Sequence, residues 1–176
     1  MMSAGHIDTY FDQESGHVLL QLRKVDVGLE PAPVEFKGKT FWPKDEVHIT
    51  IIGSLLGAEL ARILEENPGL VEQVREVLED TPWSYRLLDE WYHVVREEGV
   101  DDKPYAESII RMAQAPAIES FYERLRALTG LEIAPRPTHV TLYTYDDDHG
   151  IGVATWEQFE QRVVQEVRPE QLAPVG

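Results

Sequence analysis

The chain has 176 residues, of which 43% are hydrophobic and 27% are charged, a composition typical of one globular domain with a core of ordinary size. The 32 acidic residues outnumber the 16 basic ones and give a formal net charge of -16. Long tracts of RNA or DNA are therefore not expected as partners, because they need a basic face. There is no cysteine, which excludes disulfides, a thiolate nucleophile and cysteine-ligated metal.

No apolar run reaches the length of about 18 residues that a membrane-spanning helix needs. The first residues include His6, Asp8, Asp12 and Glu14, and they lack the basic start and apolar run of a signal peptide. We therefore expect a cytoplasmic protein without membrane contact, in which residues 1–176 form a single domain.

The first half of the chain is predicted to contain strands followed by two helices. In order, the predicted elements are a strand over 16–25, a short extended piece over 39–42, a strand over 46–52, a helix capped by Ser54, and a helix that starts at Asn67-Pro68 and ends at Thr81-Pro82. The apolar residues of the two helices recur at helical spacing, which predicts one buried face on each.

The second half opens on a segment, residues 83–96, whose aromatic residues favour a strand, with a helix over 87–97 as the rival. The elements predicted after it are a loop over 99–104, a strand over 106–113, a helix over 116–128 capped by Gly130, a strand over 138–145 and a polar loop over 146–152. A helix started by Thr155 and Gln158 follows, with Phe159 and Val163 on its inner face. Residues 168–176 are predicted to form a loose tail. Strands and helices without strict alternation predict an α+β fold with antiparallel sheets.

Two of the predicted strands carry the same pattern, ninety-one positions apart. They read His48-Ile49-Thr50-Ile51 and His139-Val140-Thr141-Leu142. Because side chains alternate along a strand, each histidine shares a face with its threonine, and Tyr143 continues that face in the second strand. The intervening apolar residues point to the other side, so each strand presents an imidazole and a hydroxyl on one face.

This pattern suits the cleavage of a phosphodiester bond. One group must take a proton from the attacking oxygen and another must give one to the leaving oxygen, and histidine can do both near neutral pH. Threonine hydroxyls two residues away can donate hydrogen bonds to the phosphate oxygens, where negative charge accumulates. The chemistry requires no metal or other cofactor.

The paired motifs resemble those of the two-histidine (2H) phosphoesterase superfamily, which includes the LigT-like RNA 2',3'-cyclic phosphodiesterases. The resemblance covers residues 17–164 but depends mainly on the eight motif residues. It implies a bilobal, pseudo-twofold α+β fold, with a central cleft between two antiparallel sheets and the helices outside. It also implies metal-independent attack on 2',3'-cyclic or 2'-5' phosphodiester bonds of nucleotides or RNA ends, with His48 and His139 as acid and base and with Thr50 and Thr141 binding the phosphate.

Four further residues are candidates for substrate binding. Tyr143 and Trp42 can stack on a base, with a structural place in the sheet or core as the alternative. Arg136 and Lys44 are the cations nearest to the two motifs in sequence, and each either holds an anionic substrate or is a solvated surface charge. The remaining histidines, His6, His17 and His93, lack a partner pattern and are interpreted as structural or surface residues.

Two alternatives to this enzyme remain open. The same pocket can hold a phosphorylated nucleotide without turning it over, which would make the protein a binding module. A metal-dependent hydrolase can use His48, His139 and the loop Asp146-Asp147-Asp148-His149, although consecutive residues rarely converge on one ion. Otherwise that loop is a solvated segment, or a lid hinged at Gly150 and Gly152. Which histidine is the acid, the natural substrate, and the oligomeric state are not readable from the residues.

Overall fold

The structure is a computed structural model that describes residues 6–145 and 150–176. The described strands are Asp8–Phe11 (β1), Val18–Leu22 (β2), Val34–Phe36 (β3), Lys39–Pro43 (β4), Val47–Ile52 (β5), Arg86–Arg96 (β6), Ala106–Gln114 (β7), His139–Tyr145 (β8), Val163–Val167 (β9) and Ala173–Pro174 (β10). The described helices are Lys24–Val27 (α1), Ser54–Glu66 (α2), Leu70–Asp80 (α3), Ile118–Thr129 (α4) and Trp156–Arg162 (α5), with short 3₁₀ turns at Val100–Asp102 and Pro169–Gln171.

Strand β8 lies at the centre of the sheet and joins its three arms. On one edge it pairs with β7, which is followed by β6 and then β9. On the other edge it pairs first with β5 and further along with β4. The β5 arm continues to β2 and β1, and the β4 arm continues to β3 and β10. Every strand pairing within the described residues is antiparallel, which confirms the predicted α+β class.

The main hydrophobic core lies on one face of this sheet. It contains Ile49 and Val140 of the central strands, and it is covered by helices α2, α3 and α4, which contribute Leu60, Val74 and Phe121. A smaller cluster lies on the other face of β6 and β7, where Phe159 of α5 packs against it. Its members are Val94, Ala106, Ile110, Met112 and Ile151. The sheet is thus apolar on both faces of its β6–β7 arm, and this arm holds β8 in place.

Most of the predicted elements are present. The ambiguous segment 83–96 contains strand β6, so the strand reading is confirmed. Gly130 ends α4 in the left-handed conformation, with φ +72°, and its N–H donates to the carbonyl of Arg126, as predicted. Thr155 caps α5, where its side chain accepts a hydrogen bond of 3.1 Å from the N–H of Gln158.

Two predicted helix starts are displaced. Ser54 is the first residue of α2 and not its cap, because Gly53 holds the capping position and has no side chain to make a bond. Helix α3 begins at Leu70 after Gly69, so Asn67 and Pro68 lie in the turn before it.

Three other predictions were wrong, two of them where pairing with a distant strand overrides the local pattern. The strand predicted over 16–25 ends at Leu22, because α1 follows it. Val163 is the first residue of β9 and pairs with Val94, so it does not continue α5. The tail predicted over 168–176 is not loose, since β10 pairs there with β3. Strands β1 and β3 were not predicted, because both are short.

The β1–β2 turn packs closely on α2. Gly16 has φ +72°, and a Cβ atom built on it would lie 1.9 Å from the carbonyl oxygen of Gly57. No larger residue fits at this contact without moving the helix. The close approach brings His17, the next residue, to the beginning of α2. Among the helices in the described parts of the chain, none is long and apolar enough to cross a membrane.

Candidate active site

The two His-x-Thr strands meet at a single residue pair, Ile49 opposite Val140. Both side chains are fully buried in the main core, so the residues on either side of them turn to the opposite face. An antiparallel register centred on this pair places His48 across from Thr141, and Thr50 across from His139. Directly opposed residues in such a pair have Cα atoms about 4.5–5.5 Å apart. The four polar side chains of the motifs therefore form one compact group on one face of the sheet.

The two histidines differ in burial. His139 is only 9% exposed, and its Nδ1 lies 3.4 Å from the carbonyl oxygen of Pro137. A proton on Nδ1 donates to that carbonyl and leaves the lone pair on Nε2 free to accept a proton. His48 is half-buried, as are Thr50 and Thr141.

Burial and neighbouring cations keep both imidazoles neutral at pH 7. Burial, and then the charge of Arg136, lower the pKa of His139 to about 4. Burial, and then the charge of Lys44, lower the pKa of His48 below its ordinary value of 6.5. Each histidine thus has a cation beside it that disfavours its charged form.

Arg136 lies at the end of the group formed by Thr50 and His139. Its Nη1 would be 3.3 Å from a Cβ atom at Gly53, and its Nη2 donates to the carbonyl of Val153 at 3.3 Å. Its Nε is buried and has no hydrogen-bond partner among the described residues. Burial lowers the pKa of this guanidinium. A cation that is desolvated and lacks a carboxylate within the described parts of the chain is suited to binding an anion.

Lys44 lies at the other end of the group, near His48, and Trp42 lies further along β4, opposite Thr144. The backbone N–H of Lys44 donates to the carbonyl of Leu142 at 2.9 Å, and its side chain is half-buried. Trp42 pairs with Thr144 and is 55% exposed. An indole ring with this exposure at the edge of the group is accessible to a ligand.

Tyr143 does not continue the face of His139 and Thr141, and the alternation predicted for it is wrong. The register between β7 and β8 shifts between Ile109 and Ile110, so Tyr143 pairs with Ile109 and lies in the main core, 2% exposed. Such an irregularity turns every later side chain to the opposite face. The structure therefore brings seven of the eight predicted site residues together and leaves Tyr143 outside.

His17 is a site neighbour that the sequence reasoning missed. Its ring nitrogens lie 2.8 Å from Ser15 Oγ and 3.3 Å from Ser54 Oγ, and its charge contributes to lowering the pKa of His48. Strand β2 pairs with β5, with Leu19 opposite Thr50, and this pairing carries His17 to the site. No local pattern signals it, because the pairing joins residues 25 to 34 positions apart.

The backbone at Gly150 lies close to the side chain of Thr141. A Cβ atom at Gly150 would lie 3.2 Å from Thr141 Oγ1, so a side chain there would press on the hydroxyl. The next residue, Ile151, is 2% exposed and anchors the segment in the smaller cluster. The loop Asp146-Asp147-Asp148-His149 lies outside the described residues.

Residues 6–145 and 150–176 contain no group of three or more His, Asp or Glu side chains placed to hold a metal ion. Within these residues the site offers two imidazoles, two hydroxyls and two cations around one point. This set can bind a phosphate group, transfer protons to and from its oxygens, and offset the charge that develops on it.

Comparisons with known proteins add nothing to this geometry. No protein-family model, no curated protein and no solved structure matches the chain.

Proposed function

We propose that this protein is a metal-independent phosphoesterase that acts on 2',3'-cyclic or 2'-5' phosphodiester bonds of nucleotides or RNA ends. The observation that carries the proposal is the register of the two motif strands, which puts His48 across from Thr141 and Thr50 across from His139. A phosphate placed over the Ile49–Val140 pair has an imidazole and a hydroxyl on each side. Two unrelated surface motifs would have no reason to meet in this register.

The proposal includes a bilobal fold with a local twofold axis. The axis passes between Ile49 and Val140 and exchanges the two motifs. One lobe is built around β5, β2 and β1, and the other around β8, β7, β6 and β9. The substrate cleft lies where the two lobes meet, on the face opposite to the main core.

The unequal burial of the two histidines divides their roles. His139 has the lower pKa, about 4, and its Nε2 lone pair is free, so it is the general base that takes a proton from the attacking water. The water oxygen forms a bond to phosphorus, and the bond to the leaving oxygen breaks. His48, which is less buried, is the general acid that protonates the leaving oxygen. The negative charge of the bound phosphodiester raises the pKa of His48 and brings it into its acidic form.

The remaining groups hold the phosphate. Thr50 and Thr141 donate hydrogen bonds to the non-bridging oxygens, and Arg136 and Lys44 offset their charge from opposite ends. The acidic balance of the chain, with a net charge of -16, favours a small nucleotide or an RNA end over a long strand.

The test is hydrolysis of a panel of 2',3'-cyclic nucleotides and 2'-5' dinucleotides in excess EDTA. The wild type is compared with His48→Ala and His139→Ala, and Arg62→Ala, on the exposed surface of α2, is the control. We expect each site variant to lose activity by about 10²–10⁴-fold and the control to keep it. The position of the phosphate on the product shows which oxygen leaves.

Two outcomes would contradict the proposal. Activity that disappears in EDTA would indicate a metal-dependent hydrolase. Tight binding of nucleotide without turnover, in a wild-type protein that is folded, would indicate a binding module.

A further inference from the structure

A cavity of about 430 Å³ lies next to the Thr50–His139 end of the candidate site. Its volume is in the range of pockets for small organic ligands. Its lining residues include Leu88, Glu90, Met112, Glu119, Arg136 and Trp156. The phosphate chemistry proposed above uses only one of them, Arg136.

The cavity adjoins the candidate site through Met112 and Arg136, which line it. Met112 pairs with His139 across β7 and β8, so the two side chains lie next to each other on the same face. Arg136 reaches from the cavity wall to Gly53, which directly follows the strand of Thr50. A ligand whose phosphate lies at the two histidines can therefore extend past Arg136 into the cavity.

The walls of the cavity suit a flat, apolar group. Leu88, Met112 and Trp156 supply apolar surface, and Trp156 is 51% exposed, so its ring is accessible to a ligand. The ring is held by Phe159, edge to face, with 5.5 Å between the ring centroids. An indole that is fixed in place loses little conformational freedom when a ligand stacks on it.

The charges around the cavity disfavour a second phosphate. Glu90 and Glu119 line it, and Arg136 is the single cation among its lining residues. Because Arg136 already faces the phosphate at the histidines, the carboxylates would repel a further anion. An uncharged ring that carries N–H donors avoids this repulsion and can donate to the carboxylates.

We infer that this cavity is the base-binding pocket of the enzyme and that Trp156 is the surface on which the nucleobase stacks. The inference rests on the proposed function, since the phosphate must lie at His48 and His139. It assigns a single uncharged base to the Thr50–His139 end of the site. Trp42, the other exposed tryptophan near the site, lines neither this cavity nor the smaller one beside His48.

The test measures binding, so it does not depend on turnover. Titration calorimetry gives the Kd of adenosine 3'-monophosphate and of ribose 5-phosphate, which has a phosphate and a sugar but no base. The ratio of the two constants is the contribution of the base. It is measured for the wild type, Trp156→Leu, Trp156→Phe and Trp42→Leu, after thermal unfolding shows that each variant is folded.

We expect the wild type to bind the nucleotide at least about tenfold more tightly than the sugar phosphate, because stacking on an aromatic side chain contributes that much. Trp156→Leu should abolish this ratio, and Trp156→Phe should keep most of it, because a phenyl ring still stacks. A ratio near one in the wild type would overturn the inference. So would a ratio that survives Trp156→Leu and is lost in Trp42→Leu.

These results are distinguishable from a failure of the proposed function. If the affinity depends on the base and on Trp156 but the protein hydrolyses none of the test substrates, the base-binding pocket is supported and the proposed phosphoesterase activity is contradicted. If hydrolysis needs both histidines but Trp156 makes no contribution to binding, the phosphoesterase activity is supported and the base-binding pocket is contradicted.

Discussion

The two ends of the central strand pair carry the same residue types in different surroundings. At one end, His139 is 9% exposed and lies near a desolvated guanidinium, Arg136. At the other end, His48 is half-buried and lies near Lys44, on the side where Trp42 is open to solvent. A repeated motif thus acquires two different pKa values, because burial and the nearest charge differ and the side chains do not. In the mechanism proposed above, this difference allows two identical side chains to act as base and acid.

The largest difference between the ends is expected in the pH dependence of folding stability. The pKa of His139 falls from 6.5 to about 4 on folding, so the unfolded chain binds the proton first. The contribution of neutral His139 to the free energy of unfolding is therefore fully present above pH 6.5. It is lost as the pH falls toward 4, by about 3 kcal/mol over the whole window. Urea unfolding of the wild type and of His139→Gln, at a series of pH values, measures this loss as the difference between the two curves.

His48→Gln is the matched variant for this experiment. The shift of the His48 pKa has the same sign, so its removal should also flatten the curve, but by less. Equal effects of the two variants would show that the two ends are alike and would remove the basis for assigning separate roles.

The two cations should differ in their effect on the rate. We expect Arg136→Met to lower kcat/KM by about 100-fold, because a desolvated donor at a developing negative charge contributes that much. Lys44→Met should lower it by about tenfold, since the ammonium of a half-buried side chain is partly screened by water. Steady-state kinetics on the best cyclic nucleotide measures both, and Arg62→Met, on the exposed surface of α2, is the control. A larger loss of kcat/KM in Lys44→Met than in Arg136→Met would show that Lys44 is the more important cation, contrary to this prediction.

The smallest effect is a shift in the pH profile of kcat/KM. If His48 must be protonated, the alkaline limb reports its pKa in the free enzyme. The charge of His17 contributes to lowering that pKa, so His17→Gln should move the alkaline limb to higher pH by less than about one unit. His17 is not among the charges that act on His139, and the acid limb should stay in place. Movement of the acid limb instead would show that the roles of the two histidines are exchanged.

Local patterns in the sequence were sufficient for much of the site. Alternation within β5 and at the start of β8 depends only on the period of two that every strand has, and the burial of Ile49 and Val140 agrees with it. The apolar spacing of α2, α3 and α4 likewise predicted their buried faces, which carry Leu60, Val74 and Phe121. These features are local, because each depends on residues within one or two turns.

The failures share a different cause. Tyr143 left the predicted face because β8 shifts its register against β7, and a register is a property of two strands. Val163 pairs with β6, and Ala173 and Pro174 of the predicted tail pair with β3. Both strands have an edge available for this pairing. His17 reached the site only through the pairing of β2 with β5. In each case, the deciding partner lies far away in the chain.

The sequence by itself determined that two strands each present a histidine and a threonine on one face, since that requires only alternation along the strand. The tertiary structure decided that these strands are neighbours in a register centred on Ile49 and Val140. It also decided that Arg136, with its Nε buried, lies near one histidine and that the two imidazoles differ in burial. Desolvation and charge depend on what surrounds a group in space, and residues distant in the chain supply those surroundings.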